Sequence, residues 1–271
     1  MRNTTAERTP PLPEVLRPWL TGIRTVSGAV PYEETFVHLP DAVTKVVVRV
    51  GRGGHRDVLA VGPRVRASYH DTGLPASCAE LRLAPGTTLP LLGVPAAELV
   101  GRVVPLERLP GRAGRRLADL TRWLDPEEDL PRLAETLAEL LPEPLTASAD
   151  GPRTALLRAG VDALSVRSGH APAQVREVAR ELSVSERQLR NLFTEGVGVS
   201  PKHYARINRV RTVITRAPTA PWSELAATTG YYDQSHMTSD FRALMGVPPR
   251  SYFTGRLPTP TPCRAQAGSR A

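Results

Sequence analysis

The sequence predicts an α+β protein in which a small N-terminal β-barrel with flanking helices precedes an all-helical C-terminal domain. Short β-branched runs broken by Gly, Pro and Asp fill residues 30–109, whereas apolar residues recur at helical spacing after Pro152. A repeat at a fixed offset of 48 residues organises the helical part. The expected division is therefore 1–150, 151–256 and a disordered tail at 257–271.

The N-terminal elements follow from the placement of apolar runs and turn residues. Strands are expected in four runs, and their short, even spacing is typical of a small barrel or sandwich. Residues 1–18 are Pro-rich and polar, which predicts a loose arm around a short segment near residues 16–20. The predicted strands are 35–39, 44–50, 57–61 and 79–83, the predicted helices are 113–123 and 129–141, and the predicted linker is 144–152.

Composition bounds the class of protein. The chain has 271 residues, of which 41% are hydrophobic and 23% charged, enough for two globular cores. Cys78 and Cys263 lie too far apart in sequence for a disulfide framework or a cysteine zinc cluster. No run approaches the ~18 apolar residues of a membrane span, and no signal peptide is recognisable. The expectation is a soluble, cytoplasmic protein that does not contact membranes.

The positive charge is confined to the helical part. The formal net charge is +8. Residues 1–150 carry 18 Lys and Arg against 19 Asp and Glu, whereas residues 151–271 carry 17 against 8. A basic domain beside a neutral one favours a polyanionic partner for the basic half.

The repeat places equivalent residue types at equivalent positions. Its first matched residue is a helix N-cap, whose side-chain oxygen accepts from free amides of the first turn. The next two follow at +4 and +8, so they share one helix face and point into a core. The glycine can close the helix in a left-handed conformation. Ser185, Leu189, Phe193, Gly198, Val199, Pro201 and Tyr204 match Asp233, Met237, Phe241, Gly246, Val247, Pro249 and Tyr252.

A shorter helix precedes each N-cap, at 175–182 and at 222–229. Each contains a small residue, Ala179 or Ala226, where two helices must cross closely, and Gly230 allows a positive φ in the second turn. A short helix, a tight turn and a capped longer helix make a helix-turn-helix unit. A plain pair of helical hairpins is the alternative, but two copies in a basic domain favour double-stranded DNA as the partner.

Residues 175–253 resemble the DNA-binding domain of the AraC/XylS family. The resemblance lies in the motifs at 182–193 and 198–201, and in those at 230–241 and 246–252. It implies a transcription regulator with seven helices, in which a long linker helix, here 201–216, joins two helix-turn-helix units. One departure is Tyr231, where the family often has Phe.

The N-terminal region is similar to a cupin-like sensory domain in the segments 81–87, 92–99 and 104–106. This resemblance implies modulation by a small-molecule effector or homodimerisation, and contact with RNA polymerase if the protein is an activator. An apolar barrel with a few polar groups is a reasonable small-molecule pocket. The sequence does not separate sensing from simple dimerisation.

The residues expected to meet DNA lie opposite the inward apolar faces of the repeat helices, or carry positive charge on the linker helix, where some are expected to contact phosphate. Arg and Asn can read guanine and adenine in the major groove, so Arg187, Arg190 and Asn191 are expected to contact bases. The second unit offers shorter neutral groups and is expected to contribute less to sequence choice. The full set is Arg187, Gln188, Arg190, Asn191, Thr194, Gln234, Ser235, Thr238, Ser239, Arg242, Lys202 and Arg206, with His203, Arg209 and Arg211 as further polar groups of the linker helix.

Two enzymatic functions are the alternatives to this interpretation, and the sequence supports neither. A metal-dependent cupin needs clustered ligands, but His38, His55 and His70 are isolated in sequence. Alkyl-transfer DNA repair needs an activated thiolate, and neither cysteine has a suitable neighbour in sequence. His236 is expected to pack or cap near its turn rather than bind metal. The sequence thus predicts neither catalysis nor a cofactor or metal.

Overall fold

The N-terminal part of the chain is built from antiparallel strands. The computed structural model describes residues 6–9, 11–27, 35–50, 56–70, 77–111, 115–116, 118–119, 151–166 and 172–261. The strands are β1 (Ala6–Arg8), β2 (Leu20–Ser27), β3 (Phe36–His38), β4 (Lys45–Val50), β5 (Arg56–Val61), β6 (Ser68–His70), β7 (Ser77–Leu83) and β8 (Val103–Pro105).

Six of these strands form one antiparallel sheet in the order β1-β2-β7-β4-β5-β8, and β3 pairs with β6 in a separate ribbon. The predicted α+β class, with a β-rich N-terminal part and a helical C-terminal part, is confirmed. Over the described residues the sheet is open, with β1 and β8 at its two edges, and not closed as the predicted barrel would be. Among the described strands, β3 and β6 pair only with each other and do not bridge the two edges.

The N-terminal core includes the short segment near residues 16–20 that the sequence singled out within a loose arm. Leu16 and Trp19 are fully buried, and β2 follows them directly into the middle of the sheet. Val46 and Val48 on β4 are buried and the half-buried Val47 lies between them, which is the period-two pattern of a strand with one face in the core. The Pro-rich composition before residue 18 therefore conceals part of the core.

The helices that follow are mainly in the C-terminal part. The predicted helices at 113–123 and 129–141 lie outside the described residues, except that residues 115, 116, 118 and 119 are helical. No helix of the described part is long and apolar enough to cross a membrane. The α-helices are α1 (Thr88–Leu92), α2 (Pro152–Leu164), α3 (Val175–Glu181), α4 (Glu186–Gly196), α5 (Pro201–Arg216), α6 (Trp222–Thr228), α7 (Gln234–Met245) and α8 (Pro249–Phe253).

The repeat positions take the roles expected for them in the helical core. The Ser185 side chain accepts from the Gln188 amide at 3.1 Å and starts α4, and the Asp233 carboxylate accepts from the His236 amide at 2.7 Å and starts α7. The four expected core residues Leu189, Phe193, Met237 and Phe241 are all fully buried. Gly246 has a φ of 76° and Gly198 a φ of 90°, as left-handed helix termini require.

The two parts of the chain share packing. Ala42 belongs to the helical core, and the half-buried Val37, Leu39, Val65 and Ala67 of the N-terminal part pack against it. Among the described residues, the strands precede residue 106 and the helices longer than five residues follow residue 151, and a division near 150 remains our prediction.

The expected disordered tail differs from the structure over its first residues. The chain from 257 to 261 is ordered, and Thr261 forms a parallel bridge with His70 of β6. Its amide donates to the carbonyl of Tyr69 at 2.9 Å. The composition gave no sign of this contact, because a single strand edge 191 residues away provides it. Residues 262–271 lie outside the described part.

His38 makes the stability of the β3–β6 ribbon sensitive to pH. Its ring lies 5.2 Å from that of His70, and burial, followed by the positive charge of Arg64, lowers its pKa from 6.5 to about 3. The unfolded chain then takes up the proton first, so the free energy of unfolding should fall as the pH drops from 6.5 towards 3, by up to ~1.4 kcal/mol per pH unit. Urea unfolding between pH 7 and pH 4 measures this slope. His38→Gln should flatten it, and an unchanged slope in that variant would contradict the assignment.

Candidate nucleic-acid interface

Both helix-turn-helix units close their turns with the same hydrogen bond. In the first, the Val184 amide donates to the carbonyl of Ala179 at 2.9 Å, and in the second the Tyr231 amide donates to the carbonyl of Ala226 at 3.0 Å. The second turn uses the predicted Gly230, with a φ of 76°. The first turn contains Ser183 at a φ of 54°, which the sequence did not indicate, because serine rarely adopts a left-handed conformation.

The outward face of α4 presents polar and basic groups. Arg187, Arg190, Asn191 and Thr194 are all exposed, opposite the buried Leu189, Leu192 and Phe193 of the core. The helix thus has an apolar face fixed in the protein and a hydrogen-bonding face available to a ligand in solvent. These four residues lie where the sequence predicted them.

Gln188 is largely engaged within its own helix. Its side-chain oxygen accepts from the Ser185 amide at 2.8 Å and lies 3.0 Å from the Ser185 hydroxyl, which completes a capping box. Only its amide nitrogen remains to face a ligand. Its expected contact with DNA stays a prediction, and its role in starting α4 is the one that the geometry shows.

The side chains on the outward face of α7 are mostly shorter than those on α4, and most of them are uncharged. Gln234, Ser235, Ser239 and Arg242 are exposed and Thr238 is half-buried. Together they line an open depression with a volume of about 650 Å³. The ring of His236 lies 5.3 Å from that of Tyr231, as expected for a residue packed near the turn.

The arginines of α5 are bound within the protein. Arg206 donates through Nε to Oδ1 of Asp240 at 2.9 Å. Arg209 has its Nη2 3.5 Å from Asp240 Oδ2, and its guanidinium carbon is 4.8 Å from the centre of the Tyr231 ring. Arg211 donates to the carbonyl of Pro40 at 2.9 Å. Of the polar groups predicted on this helix, only Lys202 is exposed.

The expected contact of Arg206 with DNA stays a prediction, and the geometry shows a structural role for this side chain. Its side chain ties α5 to α7 through Asp240, which is 7% exposed. The sequence analysis missed Asp240, although a signal was present: it occupies the repeat position of Leu192, an inward-facing residue in the first copy. A carboxylate at an inward position indicates a buried ion pair.

Burial also sets the protonation of the groups near this ion pair. Burial, and after it the Asp240 carboxylate, raises the pKa of Tyr231, so its hydroxyl stays protonated. Burial, followed by the charge of Arg206, lowers the pKa of His203, which therefore favours the neutral form. Neither group adds charge to the surface of α5.

Lys202 and Arg206 should differ in the salt dependence of DNA binding. Each phosphate contact contributes about −0.9 to the slope of log K against log salt, so Lys202→Ala should make the slope shallower by about one. Arg206→Ala should leave the slope unchanged and lower the free energy of unfolding, because it removes a partner of Asp240. Titrations of a duplex at four salt concentrations measure the slopes. An equal loss of slope in the Arg206 variant would restore the phosphate role.

The sequence of this region matches a known protein family. Residues 178–255 match the family described as "Helix-turn-helix domain". These residues are an AraC-type helix-turn-helix domain. The AraC-type domain comprises nearly all of both units and the linker helix α5, and it is the DNA-binding module of transcription regulators. The family resemblance expected from the sequence is thereby confirmed for this part.

Solved structures of ToxT from Vibrio cholerae are also similar to this chain. ToxT from strain O395 is 12% identical with a TM-score of 0.41, covering 86% of this chain and 97% of ToxT. ToxT bound to (E)-4-(8-methylnaphthalen-1-yl)but-3-enoic acid is 11% identical with a TM-score of 0.42, covering 86% and 98%. ToxT of strain SCE256 bound to an unsaturated fatty acid is 11% identical with a TM-score of 0.40, covering 88% and 98%.

At these TM-scores the similarity to ToxT says nothing about what this chain binds. No curated protein matches the sequence.

Proposed function

We propose that the protein is a sequence-specific transcription regulator whose two helix-turn-helix units enter successive major grooves of one duplex. The observation that supports this most is the duplication itself: α4 and α7 are capped alike, and both bury the leucine or methionine and the phenylalanine of the repeat. Because α5 joins the two units, their recognition helices can reach grooves ~34 Å apart along the duplex. One chain can then cover a two-part site without dimerising.

We assign most of the sequence choice to the first unit. Arg187 and Arg190 can each make paired hydrogen bonds to guanine, and Asn191 can do so to adenine. The second unit offers hydroxyl groups, one amide and Arg242 at its far end, so its direct readout is weaker. Contacts from Lys202 to phosphate would position the domain without reading sequence.

Arg190→Ala should lower the affinity for the preferred duplex by roughly 10- to 100-fold and relax the base preference at one position. Gln234→Ala should lower this affinity clearly less. Fluorescence anisotropy with the preferred duplex and its single-base variants measures both. Arg153→Ala is a matched control, because that arginine lies on α2, outside both helix-turn-helix units, and pairs with Glu195. Full affinity and unchanged base preference in the Arg190 variant would remove it from the interface, and an equal loss with Gln234→Ala would contradict the ranking of the units.

We further propose that the N-terminal part modulates DNA binding in response to a small polar effector in the cytoplasm. A cavity of about 210 Å³ lies between the two parts of the chain, which supports this proposal. A thermal-shift screen of small carboxylates and amines tests it, with Arg82→Ala as the variant expected to lose the shift. The polar lining of this cavity includes Asp41, Thr44, Arg82, Tyr204, Asn208 and Arg211.

We propose no catalytic role for the N-terminal part. Metal analysis of the purified protein tests this, because stoichiometric bound metal would favour the rival proposal of a metal-dependent enzyme fused to a DNA-binding domain.

A further inference from the structure

The N-terminal part holds the two recognition helices at equivalent positions of the repeat. The Gly86 amide donates to the carbonyl of Gly196 at 3.0 Å, and the Ala67 amide donates to the carbonyl of Leu244 at 2.8 Å. Residues 196 and 244 are 48 positions apart, which is the offset of the repeat. The last carbonyls of a helix have no partner inside it, so each contact satisfies a group that the helix leaves open.

Each contact is supported by a second feature of the same helix end. On α7, the buried Tyr69 hydroxyl donates to the carbonyl of Met245 at 2.6 Å, and burial raises the pKa of Tyr69 to about 12, so it remains a donor. On α4, a Cβ added to Gly198 would lie 2.9 Å from the Ala96 carbonyl oxygen, so glycine at this position lets the N-terminal backbone approach. A Cβ added to Gly196 would first meet the Leu157 side chain of α2, and it would lie 3.3 Å from Gly86 Cα.

The two contacting loops are also tied to each other. Asp41 and Arg64 exchange backbone hydrogen bonds of 2.9 and 2.8 Å, and Arg64 lies three residues before Ala67. The Asp41 carboxylate accepts from Arg82 at 2.8 Å, and Arg82 lies four residues before Gly86. A displacement of one loop is therefore transmitted to the other through one buried carboxylate.

We propose that the N-terminal part sets the angle and separation of the two recognition helices, and so fixes the spacing between the two halves of the DNA site that the protein accepts. Gly86, Ala67 and Tyr69 are positioning residues in this proposal, which rests on the proposed function of α4 and α7. Their contacts lie at the C-terminal ends of the helices. The N-terminal halves, which contact bases in helix-turn-helix proteins, remain exposed, so the contacts are compatible with bound DNA.

Spacing variants of the DNA test this proposal in the full chain. The probe is the duplex that the wild-type protein selects best from random DNA, together with versions carrying one base pair more or fewer between the two halves. One base pair turns the second half by roughly 35° relative to the first. The wild-type protein should lose about tenfold in affinity for each altered spacing, and Tyr69→Phe should lose no more than about threefold.

Ser165→Ala is the control, because it also removes one hydroxyl, which donates to the carbonyl of Val161 at 2.7 Å within the helical part. It should keep the tenfold loss of the wild-type protein. Equal losses for the wild-type and Tyr69→Phe proteins, at equal melting temperatures, would overturn the proposal and leave the spacing to α5 alone.

Hydrogen exchange gives a second measurement that does not depend on any variant. In the full wild-type chain, the amides of Ala67 and Gly86 should exchange at least ~100-fold more slowly than unstructured amides. Unprotected exchange at either amide would overturn the proposal, even if Tyr69→Phe failed to fold. Selection of no duplex by the wild-type protein would instead mean that the proposed function itself fails.

Discussion

Phe193→Ala is expected to lower the free energy of unfolding by about 3–5 kcal/mol, because it empties a fully buried position. The ring lies 5.5 Å from that of Tyr204, so it joins α4 to the linker helix α5. With α4 no longer fixed, the first unit should lose specific DNA binding at temperatures where the wild-type protein retains it. Urea unfolding and duplex titration on the same preparation measure the two effects.

The repeat supplies a matched partner and a control for this variant. Phe241 occupies the equivalent position and is also fully buried, so Phe241→Ala should lower the free energy of unfolding by a similar amount. Phe253 is 38% exposed, so Phe253→Ala should cost far less. Surface substitutions change the free energy of unfolding by less than about 1 kcal/mol. Changes that small in both Phe193→Ala and Phe241→Ala would mean that these side chains do not form the core.

Asp240→Ala should destabilise the protein by about 3–5 kcal/mol, since it leaves two inward-facing cations without their carboxylate. Arg206 and Arg209 both contact this carboxylate, and it joins the second recognition helix to α5. Chemical denaturation gives the change in stability, and anisotropy with spacing variants of the duplex gives the change in geometry.

An exposed ion pair of the same helical part serves as the control. Glu195 lies against Arg153 with both side chains more than half exposed, so Glu195→Ala should change stability little. If Asp240→Ala were as mild as Glu195→Ala, the buried ion pair would not hold α7 on α5, and Arg206 would again be a candidate for phosphate contact.

The repeat made the helical part predictable. Caps at Ser185 and Asp233 depend on side chains next to the amides they bind, and the core positions depend on helical periodicity alone. Both are local properties, so they can be inferred from short stretches of sequence. The glycine at 230 indicated its turn for the same reason, whereas Ser183 took the same backbone region without a sequence signal.

The remaining features depend on contacts between distant residues. Arg206 lies on the polar side of its helix by periodicity, but its partner Asp240 is 34 residues away, so the sequence alone suggested solvent and phosphate. Strand β2 was not predicted from the sequence, because it pairs with β7, which lies more than 50 residues later at Leu20. Ordering of Thr261 likewise depends on β6. Such pairings are set by the packing of the whole chain.

The most direct test of the account is selection of duplexes from random DNA by the full-length protein at a stated salt concentration, followed by sequencing. Because two exposed and capped helices are joined by α5, the protein should enrich sites with two separate elements about one helical turn, or ~10 base pairs, apart. Substituting Arg190 should weaken one element, and substituting Gln234 should affect the other. Recovery of no sequence above the random background, or of sites with a single element unaffected by either substitution, would contradict it.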